Sequence, residues 1–333
     1  MQFGYNETCL DHDTGARHPE TPDRLRAVRR QLARRHGVEY VSADPASAES
    51  VSVVHDDGYI DDLRSFCAEG GGDWDPDTVA SSGTWEAALT SAGLAQWAAE
   101  RALAGDDGRE TPFSLGRPPG HHAVADNAMG FCFFNNAAVA AGTAIARGDA
   151  DRVAVFDWDV HHGNGTQDIF YDREDVFYAS IHEKGLFPGT GAVDEVGTGA
   201  GEGTTLNVPL RSGAGDADCL AAFEAIATAI ERFDADLLLV SAGFDAHRHD
   251  PISRLRVSTE GYALLADRVR EVAGEMGAAL AFVLEGGYGL DTLSESVATV
   301  HETFDGRAPV ASDDDPIDAT RSLLDRVRST HDL

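Results

Sequence analysis

Short apolar runs rich in aliphatic and β-branched residues alternate with alanine-rich stretches along the chain, and this alternation constrains the fold most strongly. Repetition of strand, helix and strand is typical of a parallel sheet covered by helices on both faces. The predicted strands are Thr111–Leu115, Arg152–Phe156, Val176–Ser180, Leu237–Ser241 and Leu280–Leu284. The predicted helices are Ala137–Arg147, Cys219–Phe233 and Thr259–Gly274. We therefore expect an α/β fold.

No internal repeat and no long linker divides the 333 residues. Length alone would allow two domains of roughly 150 residues, but one large α/β domain fits equally well. We predict a single domain over residues 1–333, with a core at 1–305 and a C-terminal segment at 306–333. The glycine-rich stretch Gly197–Gly203 is expected to be a surface loop, and the acidic run Asp313–Asp315 a solvated loop before a final helix.

The charge balance limits the partners of this chain. Its net charge is −31, its isoelectric point is near 4.5, and Lys184 is the only lysine. Such a surface repels phosphate backbones, so we predict no direct binding to nucleic acids and none to anionic membranes. An acidic chain with so little lysine favours a halophilic origin, because concentrated salt screens the repulsion between its acidic side chains. The four scattered cysteines and the absence of a leader-like N-terminus predict a cytoplasmic protein.

Polar motifs follow the predicted strands directly. They are RPPGHHA from Arg117, DWDVHHGNGTQ from Asp157, SIHEKGLFPGTG from Ser180, GFDAH from Gly243 and EGGYG from Glu285. In open α/β sheets, ligands bind in the crevice outside the carboxyl ends of the strands. We therefore expect five strand ends to contribute to one pocket.

Two of these motifs carry candidate metal ligands. Asp157, Asp159 and His161 alternate along one segment, so an extended backbone would project all three side chains to the same side. Carboxylate oxygens and an imidazole nitrogen suit zinc or iron(II). Asp245, at another strand end, is the candidate third ligand. Each residue alone could instead satisfy backbone groups at a strand end, but several buried carboxylates and histidines together need compensation.

The pair His121 and His122 follows the rigid segment Arg-Pro-Pro-Gly. One histidine can take a proton from an attacking water and return it to a leaving amine, while its neighbour supplies charge. Each ring needs a partner on its far nitrogen, and Asp157 and Asn164 are the candidates.

The last motif places Tyr288 between glycines, where its hydroxyl could donate to a developing oxyanion. The aromatic residues Phe131 and Phe187 lie in loops and could wall a narrow channel. Considered singly, Tyr288 could simply pack beside a turn, and each phenylalanine could belong to the core.

Together these motifs resemble the histone deacetylase superfamily, in particular its class II-like bacterial and archaeal members. That group includes acetylpolyamine amidohydrolases and acetoin-utilisation proteins. The resemblance also covers HPETPDRL from His18, VHDDGYID from Val53, DPDTVAS from Asp75, GFCFFNN from Gly130 and LEGGYG from Leu284, so it spans most of residues 1–300. It implies an arginase-like or deacetylase-like α/β domain with an eight-stranded parallel sheet and helices on both faces.

The resemblance also implies roles for individual residues. Zinc would be held by Asp159, His161 and Asp245, although iron(II) is an alternative ion. His122 would be the general base and acid, His121 an electrostatic helper and Tyr288 the oxyanion donor. Phe131 and Phe187 would line the acyl-lysine channel, and Gly130 and Ile252 would also contact the substrate. A structural potassium ion is expected near a second set of residues, which are Asp157, Asp159, His161, Ser180 and Ile181.

The chain departs from the family pattern at three positions. Class I enzymes have an aspartate where this chain has Asn164, so His122 should be less basic here. His249 replaces a glycine, which could narrow the rim of the pocket or make it sensitive to pH. Ile252 stands where polyamine-selective relatives carry a glutamate, and this disfavours selection for a second ammonium group.

The sequence therefore predicts a metal-dependent deacetylase. It would use activated water to remove acetyl or short acyl groups from acetyl-lysine or from acetylated small amines. An acetylpolyamine-specific deacetylase is the nearest alternative. A binuclear manganese ureohydrolase would need two bridging aspartates, and the segment at Asp245 offers one close acid. A non-catalytic acyl-amine binding protein is the alternative of another class, and an oligomer is compatible with the sequence.

Overall fold

Ten strands form the framework of the computed structural model, which describes residues 1–105, 111–310 and 314–333. The strands are β1 (Gln2–Gly4), β2 (Glu39–Val41), β3 (Gly71–Asp73), β4 (Val79–Ser81), β5 (Pro112–Ser114), β6 (Val153–Asp157), β7 (Val176–Glu183), β8 (Thr205–Leu210), β9 (Leu237–Ala242) and β10 (Ala279–Leu284). Eight of them make one parallel sheet in the order β2-β1-β5-β10-β9-β6-β7-β8, and β3 pairs with β4 in a separate antiparallel ribbon. The predicted eight-stranded parallel sheet is confirmed.

Helices cover both faces of the large sheet. They are α1 (Asp23–Leu32), α2 (Ala48–Val51), α3 (Asp57–Ala68), α4 (Thr84–Ala104), α5 (Asn136–Arg147), α6 (Asn164–Phe170), α7 (Asp216–Phe233), α8 (Thr259–Met276), α9 (Leu290–Phe304) and α10 (Asp318–His331). Alternate residues of β6 enter two different apolar clusters. Phe156 packs in the cluster of α7, α8 and α9, whereas Val155 packs in that of α4 and α5. The fold is thus a single α/β domain with two cores.

Local signals explain where the predicted helices begin and end. The side chain of Asn135 accepts a hydrogen bond from the Ala138 amide at the start of α5, and that of Ser258 accepts from Gly261 at the start of α8. α5 ends at Gly148, which adopts a φ of 75° that favours glycine. The three predicted helices are confirmed, and each extends by no more than three residues beyond its predicted bounds.

The five predicted strands are confirmed as β5, β6, β7, β9 and β10, and they lie side by side in the centre of the sheet. Three outer strands, β1, β2 and β8, were not predicted. The stretch Gly197–Gly203 contains a short 3-10 turn at Gly199–Gly201 rather than loop alone. Asp313 lies outside the described residues, and the expected final helix follows it as α10. Within the described ranges, no helix is long and apolar enough to span a bilayer.

Candidate metal centre and active site

Three predicted metal ligands converge at the carboxyl ends of β6 and β9. Asp159, His161 and Asp245 each offer one ligand atom, and these atoms all lie within 4.8 Å of one another. The Nδ1 atom of His161 lies 3.1 Å from Asp159 Oδ1 and 3.2 Å from Asp245 Oδ2. Both carboxylates are fully buried. Two buried carboxylates beside an imidazole form a donor set that a divalent cation would neutralise.

The backbone between these ligands bends, and this corrects the predicted extended geometry. β6 ends at Asp157, and residues 159–161 form a bend rather than a continuing strand. The Asp159 amide donates to Asp157 Oδ1 at 3.0 Å, and the His161 amide donates to Asp159 Oδ1 at 2.9 Å. Each carboxylate therefore positions the residue two places further along the chain. The side chains meet because of this bend in the backbone, and not because they alternate along a strand.

Contacts from neighbouring strand ends fix the two metal-binding carboxylates. The Val160 amide donates to Asp245 Oδ1 at 2.8 Å, and the Gly286 amide donates to Asp159 Oδ2 at 2.8 Å. A β-carbon added at Gly243 or at Gly286 would collide with Asp159 Oδ2. Glycine is required at both positions because the backbone approaches the carboxylate so closely. The other oxygen of Asp245, Oδ2, is buried without a well-formed hydrogen bond among the described residues.

The adjacent histidines have the two partners that were predicted for them. His121 Nδ1 lies 3.0 Å from Asp157 Oδ2, and His122 Nδ1 lies 2.8 Å from Asn164 Oδ1. Their ring centroids are 4.0 Å apart, and the ring of His122 lies 5.8 Å from that of His161. Both histidines are buried. The pair therefore stands beside the metal-ligand group with its outer nitrogens already engaged.

Different partners give these two rings opposite proton affinities. Burial alone would lower the pKa of His121, but the carboxylates of Asp159 and Asp157 outweigh it and raise that pKa to about 10. Burial and the charge on His121 hold the pKa of His122 well below its usual range. These opposite shifts favour the cationic form of His121 and the neutral form of His122.

Tyr288 follows the end of β10, and its loop is held from two sides. Asp250 Oδ2 accepts hydrogen bonds from the amides of Tyr288 at 2.7 Å and Gly289 at 3.0 Å. Arg24 Nε donates to the Gly287 carbonyl at 2.7 Å, and the guanidinium lies 5.1 Å from the centroid of the Tyr288 ring. Loss of water around the phenol raises the pKa of Tyr288 well above its usual range. The hydroxyl therefore keeps its proton and can donate it in a hydrogen bond.

Two of the predicted channel residues pack against candidate catalytic side chains. The Phe187 ring lies 5.0 Å from the ring of His122, and the Phe131 ring lies 5.8 Å from that of Tyr288. Phe187 is 40% exposed, so its ring lies on the solvent-facing side of the candidate active site. A β-carbon at Gly130 would lie 2.5 Å from the His122 ring and 2.8 Å from Phe187, which explains the need for glycine between them. The two rings therefore lie beside His122 and Tyr288, and their role as channel walls stays a prediction.

Ile252 is a partly exposed residue in the segment after β9. Its amide donates to Asp250 Oδ1 at 3.1 Å, so it is linked to the Tyr288 loop through that aspartate. Its place in the substrate channel stays a prediction. His249 is exposed beside it.

The residues expected near potassium share Asp159 and His161 with the metal-ligand group and add the buried residues Asp157, Ser180 and Ile181. Asp157 and Ser180 are register partners on β6 and β7, and Ser180 Oγ lies 2.9 Å from His182 Nδ1. Ile181 follows on the same strand and is buried. The nearby Tyr178 hydroxyl is buried without a hydrogen-bond partner among the described residues. Carboxylate, hydroxyl and main-chain oxygens are a donor set that a hard monovalent cation accepts.

Glu285 is a site residue that sequence reasoning did not assign. Its Oε2 accepts hydrogen bonds from the amides of Gly120 at 2.7 Å and His121 at 3.2 Å, so it fixes the start of the histidine pair. Burial raises its pKa to about 7. The available signal was a lone acid directly after the apolar strand Ala279–Leu284, where no solvent-facing position is expected.

A buried ion network under the site also went unpredicted. Glu20 Oε1 accepts from Arg117 Nε at 2.7 Å and from Arg24 Nη1 at 3.1 Å, and all three side chains are fully buried. Burial alone would raise the pKa of Glu20, but the two guanidinium groups outweigh it and lower that pKa to about 2. The network joins α1 to the segment that carries the histidine pair.

Comparison with known proteins identifies a family and a related fold. The sequence matches the histone deacetylase domain over residues 18–304. The histone deacetylase-like amidohydrolase of Pseudomonas aeruginosa is 40% identical over 309 residues, covering 86% of this chain and 81% of the relative. Acetylpolyamine amidohydrolase 2 of the same organism is 44% identical over 229 residues, covering 68% of this chain and 64% of the relative. The crystal structure of the HDA15 HD domain superposes with a TM-score of 0.91 at 37% identity, covering 99% of this chain and 95% of that one.

Fold and site together define a parallel α/β domain with a candidate metal centre at its strand ends. The chain belongs to the histone deacetylase family. Its family and its amidohydrolase relatives support a deacetylase function.

Proposed function

We propose that this chain is a zinc-dependent amidohydrolase that removes acetyl or short acyl groups from amines. The observation that carries the proposal is the convergence of Asp159, His161 and Asp245 within 4.8 Å, beside the neutral imidazole of His122. Family membership supports this chemistry over that of a binuclear manganese ureohydrolase.

The residues present fit a zinc ion. Asp159 and Asp245 are buried and close to each other, and burial together with the charge on Asp159 raises the pKa of Asp245. A divalent cation held by these residues and His161 would relieve the repulsion between the two carboxylates. It would also give Asp245 Oδ2 the partner that it lacks. When bound, zinc supplies Lewis acidity towards the substrate carbonyl and acidifies water. Iron(II) suits the same ligands and is the alternative ion.

Proton transfer is assigned to the histidine pair. In this proposal, His122 accepts a proton from the attacking water and then donates it to the departing amine, with Asn164 orienting the ring through Nδ1. His121 keeps its positive charge against Asp157 and so stabilises the negative charge that develops beside it. The neutral partner Asn164 leaves His122 free to cycle between its two protonation states.

Tyr288 is assigned to the carbonyl oxygen. Its protonated hydroxyl would donate a hydrogen bond to the oxyanion, and such donors typically contribute about 2.7–4 kcal/mol to catalysis. Phe131, Phe187 and Gly130 would enclose the alkyl chain of the amine. Potassium near Asp157, Ser180 and Ile181 would have a structural role.

The amine substrate is proposed to be acetyl-lysine or an acetylated small amine. An acetylpolyamine-specific enzyme is the second candidate, because a relative named acetylpolyamine amidohydrolase 2 is 44% identical over the aligned region. Ile252 weighs against it, since an apolar side chain there cannot pair with a second ammonium group.

The test is hydrolysis of an acetyl-lysine peptide and of an acetylated polyamine, side by side, by metal-stripped enzyme reconstituted with zinc in potassium chloride. Tyr288→Phe is the catalytic variant, and Tyr40→Phe, on a 39% exposed ring, is the matched control. The proposal is supported if the unmutated chain and Tyr40→Phe both cleave a substrate while Tyr288→Phe loses most of its activity. The substrate that is cleaved more efficiently then defines the subclass. Binding of both substrates without cleavage would instead favour a non-catalytic acyl-amine binding protein.

We also propose that residues 1–305 form the catalytic core and that 306–333 form a C-terminal segment. Its helix α10 packs against α7 and β8, on the edge strand of the sheet. The cytoplasmic location, the halophilic origin, the oligomeric state and the lack of direct binding to nucleic acids or membranes stay predictions from the sequence.

A further inference from the structure

A second pocket, of about 370 Å³, lies beside the loop that carries Phe187. Residues 184–185 and 189–193 of this loop line it, together with the end of β8 and the first half of α10. Phe187 itself does not line the pocket, because its ring packs against His122 at 5.0 Å. The pocket is therefore distinct from the candidate metal centre, although the two sites share one loop.

The lining of this pocket is positively charged, in contrast with the rest of the chain. Lys184, Arg211 and Arg326 all line it, and none of its described lining residues is acidic. Acidic residues make up 57 of the 333 in a chain of net charge −31. The only lysine of the sequence is among the three cations. A chain with a net charge of −31 thus places three cations, and none of its described acidic residues, in the lining of this pocket.

The three cations are poorly neutralised. Lys184 and Arg211 have no ion-pair partner among the described residues, and both are exposed. Arg326 lies 3.2 Å from Asp194 Oδ1, but both side chains are more than half exposed, and such pairs contribute little. By comparison, Arg268 on α8 is bound by Glu224 through two nitrogens. An anion in the pocket would relieve the mutual repulsion of its cations.

A buried hydroxyl supplies an independent indication of a ligand. Thr320 lines the pocket, is 2% exposed, and its Oγ1 has no hydrogen-bond partner among the described residues. It lies in the first turn of α10, a helix of 14 residues whose N-terminal end favours negative charge. A buried polar atom without a partner is costly unless something outside the chain satisfies it.

We propose that this pocket binds a small polyvalent oxyanion, meaning a metabolite that carries phosphoryl or carboxyl groups. Guanidinium and ammonium groups recognise both kinds of group, and Thr320 adds a neutral donor. The volume suits a small molecule. The apolar lining residues Val193 and Leu323 would contact the uncharged part of that molecule. The proposal does not depend on the deacetylase reaction.

The single lysine allows a direct test. Reductive methylation with ¹³C-formaldehyde keeps the charge of Lys184 and gives one lysine signal by NMR. The labelled N-terminal amine is an internal control, since β1 and β8 lie towards opposite edges of the sheet. Pyrophosphate and citrate are titrated separately at constant ionic strength, with the chain folded in potassium chloride. We expect a saturable shift of the lysine signal but not of the N-terminal signal, and the tighter ligand identifies the preferred group.

Charge-matched variants separate a specific site from general screening. Arg211→Gln with Arg326→Gln removes two cations from the pocket, whereas Arg26→Gln with Arg64→Gln removes two exposed cations elsewhere. The pocket variant should bind at least about tenfold more weakly than the control, a loss of about 1.4 kcal/mol. Equal affinity of the two variants, or no saturable shift in the unmutated chain, would overturn the proposal. Circular dichroism verifies that both variants fold.

Discussion

The floor and the rim of the candidate active site are built in different ways. The floor, which consists of Asp159, His161 and Asp245, is held by backbone amides that follow two strands, β6 and β10. The rim, which consists of Phe131, Phe187 and Ile252, is partly exposed and contacts the site mainly through ring packing. The floor is a fixed arrangement with little freedom, whereas the rim can change shape at low cost.

This difference assigns the two parts separate tasks. Chemistry requires ligand atoms at fixed separations, and burial with backbone hydrogen bonds supplies that precision. Selection among amines requires a surface that can vary between relatives, and loop residues supply it. Substitutions in the floor should therefore abolish metal binding or stability, whereas substitutions at the rim should mainly change substrate affinity.

The largest effect is expected for Asp245→Asn in the floor. This change removes one anionic ligand, and zinc affinity should fall by more than about 100-fold, because even residues behind a metal ligand cost 10-fold to 100-fold. Calorimetric titration of the metal-stripped chain with zinc measures the loss. Asp61→Asn, on an exposed helix surface, is the control. Unchanged zinc affinity in Asp245→Asn would remove this residue from the site.

The next effect concerns the support under the floor. Glu20→Gln leaves Arg24 and Arg117 buried without their counter-charge, so the free energy of unfolding should fall by about 3–5 kcal/mol. Urea titration measures it, with Glu7→Gln on an 81% exposed side chain as the control. A loss no larger than that of the control would show that the network does not support the fold.

The same substitution predicts a pH dependence. The pKa of Glu20 lies at about 2 in the folded chain, below its ordinary value of 4.5. Its stabilising effect is therefore complete above pH 4.5 and is lost as the pH falls towards 2. The difference in stability between the unmutated chain and Glu20→Gln should shrink over that range. A difference that stays constant down to pH 2 would contradict the assigned charge.

A smaller effect is expected at the rim. Phe187→Ala removes a ring that packs on His122, so KM should rise several-fold while kcat and zinc affinity change little. Steady-state kinetics on an acetyl-lysine peptide measure the change, and Tyr40→Ala serves as the control on a similarly exposed ring. If kcat fell instead, Phe187 would belong to the machinery of the floor.

The smallest effect is expected for Asn164→Asp. A carboxylate at Nδ1 favours the cationic form of His122 and raises its pKa. The acidic limb of the profile of kcat/KM against pH should therefore move to higher pH. A shift to lower pH would show that another group controls this limb.

Much of the floor could be predicted from the sequence because its residues occupy short motifs after recognisable strands. The partners of His121 and His122 were predictable for the same reason. The bend at residues 159–161 was not, because it depends on hydrogen bonds from Asp157 and Asp159 to amides further along. Glu285 was also missed, since its partners at Gly120 and His121 are 164–165 positions away.

The outer strands show the same limit. β1 and β2 have three residues each, too few for a periodic pattern. The buried network of Glu20, Arg24 and Arg117 joins segments about 97 positions apart, and charged residues are normally expected at the surface. Long-range contacts of this kind carry no local signal in the sequence.

In the proposed function, amide cleavage requires one metal ion at the floor of the site. The most direct measurement adds zinc to the metal-stripped chain in small steps and follows bound metal and acetyl-lysine hydrolysis in the same samples. We expect activity to rise linearly with bound zinc and to reach a plateau at one ion per chain. Full activity without metal, or a plateau that needs two ions per chain, would contradict it.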